Sequence, residues 1–329
     1  MASSILTIDE LDNPLHGYLP VNVEMLRRVS VAAVDIFVQR DSRRAPTLYC
    51  RAGLPLENQQ LFGLGEVGIR EVFVRTSECH DFGAHLLETV ESLLKHEAVP
   101  ATERFAALQL AMATEIEHAV RLTDCSMFVS LSVKVGREIA AMVSASEMLP
   151  HDMFRIARHD FNTFTHVTNV AGYSVLLAEL LGIRNKQELE QIAVAAMLHD
   201  VGKRFIPNSI LMKPGRLDPA EREIIETHPL RGYEDLCDRP ELNFGQLMMV
   251  YQHHERIDGG GYPVGVMGDE IHPLAKLLAV VDVFEAMTGK RPYRRPLTAH
   301  DALRYIERSA GTQFEPEIVQ CWVSAMKSA

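Results

Sequence analysis

Three things are scarce in this chain of 329 residues. The first is uninterrupted apolar sequence. No stretch approaches the roughly 20 apolar residues that a membrane-spanning helix needs. The N-terminus, Met1 to Glu10, carries neither a basic segment nor a long apolar one, so neither membrane insertion nor a signal peptide is expected. The second is paired cysteine. Cys50, Cys79, Cys125, Cys237 and Cys321 are odd in number, scattered, and form no CxxC. They read as reduced thiols in a cytoplasmic protein rather than as a disulfide framework. The third is positive charge, with 33 Lys and Arg against 44 Asp and Glu for a formal net charge of -11. A general nucleic-acid binder needs a net positive surface to displace counterions, so duplex nucleic acid is not an expected partner. A small phosphate ligand remains open, because a few local Lys or Arg residues suffice for one.

What is present is ordinary in bulk. Hydrophobic residues make up 47% and charged residues 23%, enough for real cores and too little charge for wholesale disorder. The length predicts more than one domain. The expected fold class is mainly α, with a helical C-terminal bundle and a small α/β N-terminal domain. Residues 1–80 look β-rich. Val31–Val38 and Thr47–Arg51 read as strands of a hairpin around a charged turn, Glu71–Arg75 as a third strand, and Pro55–Gly65 as room for a short helix. Residues 81–149 shift to helical spacing. Leu86, Leu87, Val90, Leu93 and Leu94 share one face, Phe105 to Val120 forms a second segment, and Ser130 to Met142 a third. Core packing is the favoured reading of these stripes over a homodimer seam, because no clean run of heptads is present. Residues 150–329 are expected to be almost wholly helical, with helices at Val167–Leu181, Lys186–Leu198, Asp218–Thr227, Pro273–Thr288 and Thr298–Ser309.

The chemistry concentrates in that last region. Nine of the 14 histidines lie there, and an ordered series stands out: His166, His199, Asp200, His228, His253, His254 and Asp282. Several neighbours in the series are separated by about the length of a helix plus a loop, so successive helices of a bundle can each project a ligand inward. Imidazole and carboxylate together suit iron, manganese, zinc or nickel. Five His and two Asp exceed the needs of one tetrahedral ion and fit two metals, with Asp200 as the bridging carboxylate. Such a pair suits phosphodiester cleavage. Lys203, three residues after Asp200, points back toward the site and can meet a phosphoryl oxygen or the nucleophile. Arg291 and Arg294 follow Asp282 and offer a bidentate grip on phosphate. Gly259, Gly260, Gly261, Tyr262 and Pro263 make a tight loop whose backbone can approach a ligand. His272 and His300 fall outside the series and read as structural or exposed.

The order His199-Asp200-Val-Gly-Lys203, His253-His254-Glu255-Arg-Ile-Asp258-Gly-Gly-Gly261-Tyr262-Pro263 and Asp282 resembles the HD-GYP subgroup of the HD-domain phosphohydrolases. The resemblance covers residues 150–329. It implies a helical bundle around two divalent metal ions, iron or manganese first, then zinc or nickel. It implies hydrolysis of cyclic di-GMP to pGpG and in some members onward to GMP; the alternative is a weakly active or non-catalytic cyclic di-GMP sensor signalling through a protein partner. Carried over by position, His166, His199, Asp200, His228, His253, His254 and Asp282 are metal ligands. Lys203 faces the scissile phosphate, Arg291 and Arg294 hold phosphates, and Gly261, Tyr262 and Pro263 form the signature loop. That loop is associated with ligand binding and with diguanylate cyclase-type partners. Some members hold a third metal with a Glu where this chain has Asn162, which favours two metals here. Residues 1–80 resemble a small regulatory domain that often precedes HD-GYP modules.

Overall fold

A computed structural model describes residues 14–15, 17–26, 31–41, 43–69, 71–78, 82, 125–145, 163–211, 213, 215–289 and 296–327. The helical segments expected around residues 86–94 and 105–120 lie outside the described residues, as do Asn162, Arg291 and Arg294. Contacts divide the chain into two units, Met1–Val99 and Pro100–Ala329.

The first unit is built on four antiparallel strands in the order β1-β4-β2-β3: β1 (Tyr18–Asn22), β2 (Ile36–Val38), β3 (Thr47–Cys50) and β4 (Glu71–Arg75). A short helix α1 (Val23–Leu26) follows β1, and α2 (Asn58–Glu66) lies between β3 and β4. The register of β1 on β4 runs from Tyr18 opposite Arg75 to Asn22 opposite Glu71. Strand β1 was not foreseen, because Pro20 interrupts its pattern. Proline lacks a backbone donor, and β1 tolerates it as an edge strand. The strand expected over Val31–Val38 shrinks to β2. Upstream of it the Asp35 carboxylate accepts from the Ala52 amide at 2.9 Å, and the Ala32 amide donates to the Leu54 carbonyl at 3.0 Å. These bonds replace ladder pairing. Ile36, Leu61, Val72 and Val74 are fully buried and form this unit's core.

Every regular element among the described residues of the second unit is helical, with only isolated bridges beside the helices. Its elements are α3 (Ser126–Ala145), α4 (Thr163–Leu180), α5 (Lys186–Leu198), a 3₁₀ turn (Val201–Phe205), α6 (Asn208–Leu211), α7 (Pro219–Glu226), α8 (His228–Leu236), α9 (Phe244–Gln252), α10 (Pro273–Thr288), α11 (Ala299–Arg308) and α12 (Pro316–Lys327). Helix α5 packs on α3, α4 and α9, and α10 packs on α4, α9 and α11. Helices α4 and α10 are buried nearly all round, as expected of helices at the centre of a bundle. Tyr173 of α4, Phe284 of α10 and Trp322 of α12 meet edge to face, with centroids 5.3–5.9 Å apart, and bolt three helices of the bundle together. Helix starts follow their caps: Asp218 with Glu221, and Asn243 with Gln246, form complete capping boxes. Among the described residues no helix is long and apolar enough to cross a membrane.

Candidate metal centre

Four helix ends meet at one place. His199 ends α5, His228 opens α8 directly after α7, His253 ends α9, and His166 lies in the first turn of α4. The last carbonyls of a helix have no intrahelical partner. Three of the histidines use them. Nδ1 of His199 lies 2.6 Å from the Ala196 carbonyl, that of His228 2.8 Å from Ile225, and that of His253 2.8 Å from Val250. A ring nitrogen facing a carbonyl must carry the proton. In the neutral ring Nε2 is then the lone-pair nitrogen and it faces the interior, the tautomer a metal ligand requires.

The interior atoms fall into two groups. Asp200, His228, His253 and His254 form one, and His166, His199 and Asp282 the other; within each, one donor atom per residue lies within 4.8 Å of all the rest. Asp200 touches both. Its Oδ1 is 3.3 Å from His228 Nε2 and 3.9 Å from His253 Nε2, while its Oδ2 is 3.4 Å from His199 Nε2 and 3.7 Å from His166 Nε2. Asp282 Oδ1 closes the second group at 3.3 Å from His166 and 3.7 Å from His199.

The donor set fits metal ions on three observations. His199 Nε2 and Asp200 Oδ1 are buried without a hydrogen-bond partner, a costly state for polar atoms with nothing to bind. His228 Nε2 and His253 Nε2 face each other at 3.3 Å, and with both Nδ1 atoms protonated two lone pairs oppose unless a cation joins them. The protonation states suit ligation as well. Burial, then the neighbouring His254, pushes the His253 imidazole well below its usual range, and burial lowers His254 to about 3, so both are neutral. Burial alone would raise the two carboxyls. Lys203 and His199 nevertheless hold Asp200 well below the usual carboxylate range, and the adjacent His166 and His199 rings do the same for Asp282.

Lys203 lies where the sequence places it, with Nζ 2.5 Å from Asp200 Oδ2. His272 caps α10 and His300 is exposed, so both stay outside the centre as expected. Glu285 was missed. Its Oε2 bonds His166 Nδ1, and its Oε1 accepts from Asn169 Nδ2 at 3.1 Å. It supplies to His166 what helix carbonyls supply to the other three rings. The available signal was its position, one turn after Asp282 on the same face of α10.

The loop after His254 is held from behind. Buried Glu255 accepts from the amides of Val264 at 2.8 Å and Gly265 at 3.1 Å. Arg256 forks onto Asp258 at 2.9 and 2.5 Å, and Asp258 also accepts from the Gly260 amide at 3.0 Å. Gly261 passes so close to the preceding backbone that a Cβ there would sit 2.4 Å from the Arg256 nitrogen, which excludes any side chain. The Tyr262–Pro263 peptide is cis. The Tyr262 ring lies on His254 at 4.7 Å; burial, then Asp200 and Asp282, pushes its phenol up, so it stays protonated. A cavity of about 510 Å³ opens over this floor, with His253, His254, Gly261 and Tyr262 below and Arg222, Arg256 and Tyr305 around it. That volume is ordinary for a small-ligand site. Pro263 and Lys203 are not among its lining residues.

Comparison with known proteins agrees with this architecture. The HD-domain family model matches residues 146–318. The cyclic di-GMP phosphodiesterase response regulator RpfG of Xanthomonas campestris pv. campestris is 37% identical over 189 residues, 56% of this chain and 50% of that protein. The cyclic di-GMP phosphodiesterase PA4108 of Pseudomonas aeruginosa is 29% identical over 324 residues, 92% of this chain and 77% of that protein. The chain thus spans half the length of the first and about three quarters of the second. In fold it is similar to Bd1817, an HDG"Y"P protein from Bdellovibrio bacteriovorus, with a TM-score of 0.70 at 18% identity over 94% of this chain and 99% of that one. The mainly α architecture and the resemblance drawn from the HD pair and the GYP loop are borne out, and the chain belongs to the HD-domain family.

Proposed function

We propose that the chain is a metal-dependent phosphodiesterase that hydrolyses cyclic di-GMP to pGpG in bacterial signalling, in the cytoplasm, with residues 150–329 as its catalytic part. The carrying observation is the paired donor set, in which the two oxygens of Asp200 face different groups of histidines. The names of the relatives supply the substrate class.

His166, His199 and Asp282 would hold one ion, His228, His253 and His254 the other, and Asp200 both. Two divalent transition metals, iron or manganese, would act as Lewis acids on the phosphodiester and lower the pKa of the attacking water. The chain's own residues do the rest. Asp200 has one oxygen toward each group, so a single carboxylate would join the two ligand sets. One N–H of the Lys203 ammonium is engaged by Asp200, leaving further donors to neutralise a non-bridging phosphoryl oxygen as charge develops there. Water attacks phosphorus, the bond to the ribose 3′ oxygen breaks, and that oxygen leaves with a proton as the 3′ hydroxyl of pGpG. Gly261 and Tyr262 form the floor on which the substrate rests. Arg291 and Arg294, just beyond α10, complete this reading as the phosphate grip.

The test is turnover of cyclic di-GMP by protein loaded with Mn²⁺, or with Fe²⁺ without oxygen, followed by chromatography of the products. Asp200→Asn should lose both metals by elemental analysis, and turnover with them. Full metal content and activity in that variant would refute the bridging role. Tight binding without turnover in the wild-type protein would move the chain to the sensor class.

A further inference from the structure

We propose that Gln313, Arg256 and Tyr305 form a base-reading subsite at the rim of the metal cavity, one that selects guanine over adenine. The inference rests on the cyclic-dinucleotide reading above and goes further by naming the residues that choose the base.

All three residues line the cavity whose floor is His253, His254 and Tyr262. The loop that carries Gln313 is stitched to the GYP loop by backbone. The Asp258 amide donates to the Thr312 carbonyl at 3.0 Å, and the Ile257 amide to the Gln313 carbonyl at 3.4 Å. Gln313 is anchored on its own side by its amide, 2.9 Å from the Ser309 carbonyl. Its position relative to the metal centre is therefore set by main chain.

The polar inventory of this rim is one-sided. The Tyr305 hydroxyl donates to Gln313 Oε1 at 3.0 Å, which occupies the amide oxygen and leaves the amide NH₂ as two donors. Arg256 commits Nε and Nη2 to Asp258 and keeps Nη1 as a further donor. Of the two carboxylates that line the same cavity, Glu226 accepts from Arg222 at 2.7 Å through one oxygen and Glu255 accepts from two loop amides. Beside Gln313 and Arg256 the rim therefore presents donors. The Hoogsteen edge of guanine offers two acceptors, O6 and N7. That of adenine offers one acceptor and an N6 amino donor, which would face Gln313 and Arg256 donor to donor. Tyr305 is 42% exposed, and a purine can stack on its face.

The test is calorimetry on metal-loaded full-length protein, with phosphorothioate forms of cyclic di-GMP and cyclic di-AMP so that turnover does not consume the ligand. The wild-type protein should bind the guanine form at least tenfold more tightly. Gln313→Glu keeps the shape, keeps an acceptor for Tyr305 and replaces two donors by an acceptor. It should lower the guanine-to-adenine affinity ratio by roughly ten- to a hundredfold, the scale of one bidentate base contact. Tyr305→Phe releases the amide of Gln313 while keeping the ring, and should lower the ratio by a smaller factor, about threefold. Equal binding of the two ligands by the wild-type protein would overturn the proposal, and so would an unchanged ratio in both variants. Guanine-selective binding without turnover of either unmodified dinucleotide would overturn the phosphodiesterase reading and leave the base-reading subsite standing.

Discussion

Gly202, the glycine of His199-Asp200-Val201-Gly202-Lys203, should be irreplaceable even by alanine. The 3₁₀ turn that carries it lies against the start of α8. A Cβ on Gly202 would sit 1.9 Å from the His228 carbonyl oxygen and 2.6 Å from the Gly232 amide nitrogen. Both are backbone atoms, so no rotamer change can clear them. Reaching an ordinary contact of 3.4 Å requires the turn and α8 to part by about 1.5 Å. Overpacking of this kind costs about 1–3 kcal/mol where side chains can adjust. Against fixed backbone the upper figure applies, and about 3 kcal/mol lowers Tm by roughly 6–12 °C in a unit of this size. The displaced residue is His228, whose Nε2 lies 3.3 Å from Asp200 Oδ1, so the shift also pulls one ligand from its group. A misplacement of about 1 Å costs on the order of a hundredfold in a positioned site. Gly202→Ala should therefore lose both Tm and metal content, measured by calorimetric melting and elemental analysis. Gly245→Ala is the control: its nearest atom lies at 3.4 Å, and a helical glycine replaced by alanine gains up to about 1 kcal/mol. A Gly202→Ala protein that melts within about 2 °C of wild type with native metal content would refute the reasoning.

Two further outcomes follow from the groups behind the ligands. Glu285→Ala removes the carboxylate that orients His166, and metal affinity should fall about ten- to a hundredfold, read by competition with a metal-sensitive dye; native affinity would make Glu285 a packing residue only. Asp258 is held at about 2 by its hydrogen bond to Arg256, below the roughly 3.9 of an unfolded chain. Its depressed value means that the ion pair is fully present above about pH 4 and is lost as pH falls toward 2. Carboxyl carbon NMR should show that titration and should show it move up toward 3.9 in Arg256→Gln, whereas an unmoved midpoint would remove Arg256 as the cause.

The sequence exposes elements in proportion to how local their causes are. Helices α5 and α10 run over the expected residues, Lys186–Leu198 and Pro273–Thr288, because apolar spacing and a capping residue act within each segment. Helices α8, α9 and α12 lie where almost wholly helical structure was expected, but the sequence did not mark out their bounds. The first reads His-Pro-Leu-Arg-Gly-Tyr-Glu-Asp-Leu, where proline and glycine suggest a loop. Its proline lies in the first turn, where a missing donor costs nothing, and its Gly232 is there for the close approach of Gly202. Strand β2 was overread for the opposite reason. Val31–Val38 has strand composition, yet the Asp35 side chain captures a backbone amide that a ladder would need.

The candidate metal centre was legible as a list and illegible as an arrangement. Imidazole and carboxylate announce their chemistry wherever they stand, so all seven donors could be named from order and spacing. Their division into two groups depends on where Asp200 turns each oxygen, and that is decided by helices far apart in the chain. Glu285 escaped because a glutamate on a helix usually faces water; only burial against His166 gives it a role. The arrangement nevertheless has a local logic. A helix that ends leaves carbonyls without donors, and a histidine three residues past such a carbonyl can donate Nδ1–H to it while aiming Nε2 onward. His199, His228 and His253 each do this with the residue three before them. The ends of α5, α7 and α9 thus supply the orienting bonds that a metal site otherwise needs from added side chains. His166 stands at the start of a helix, where no such carbonyl is available, and it is the ring that needs a glutamate. The position of each histidine relative to its helix end therefore determines which rings need a carboxylate behind them.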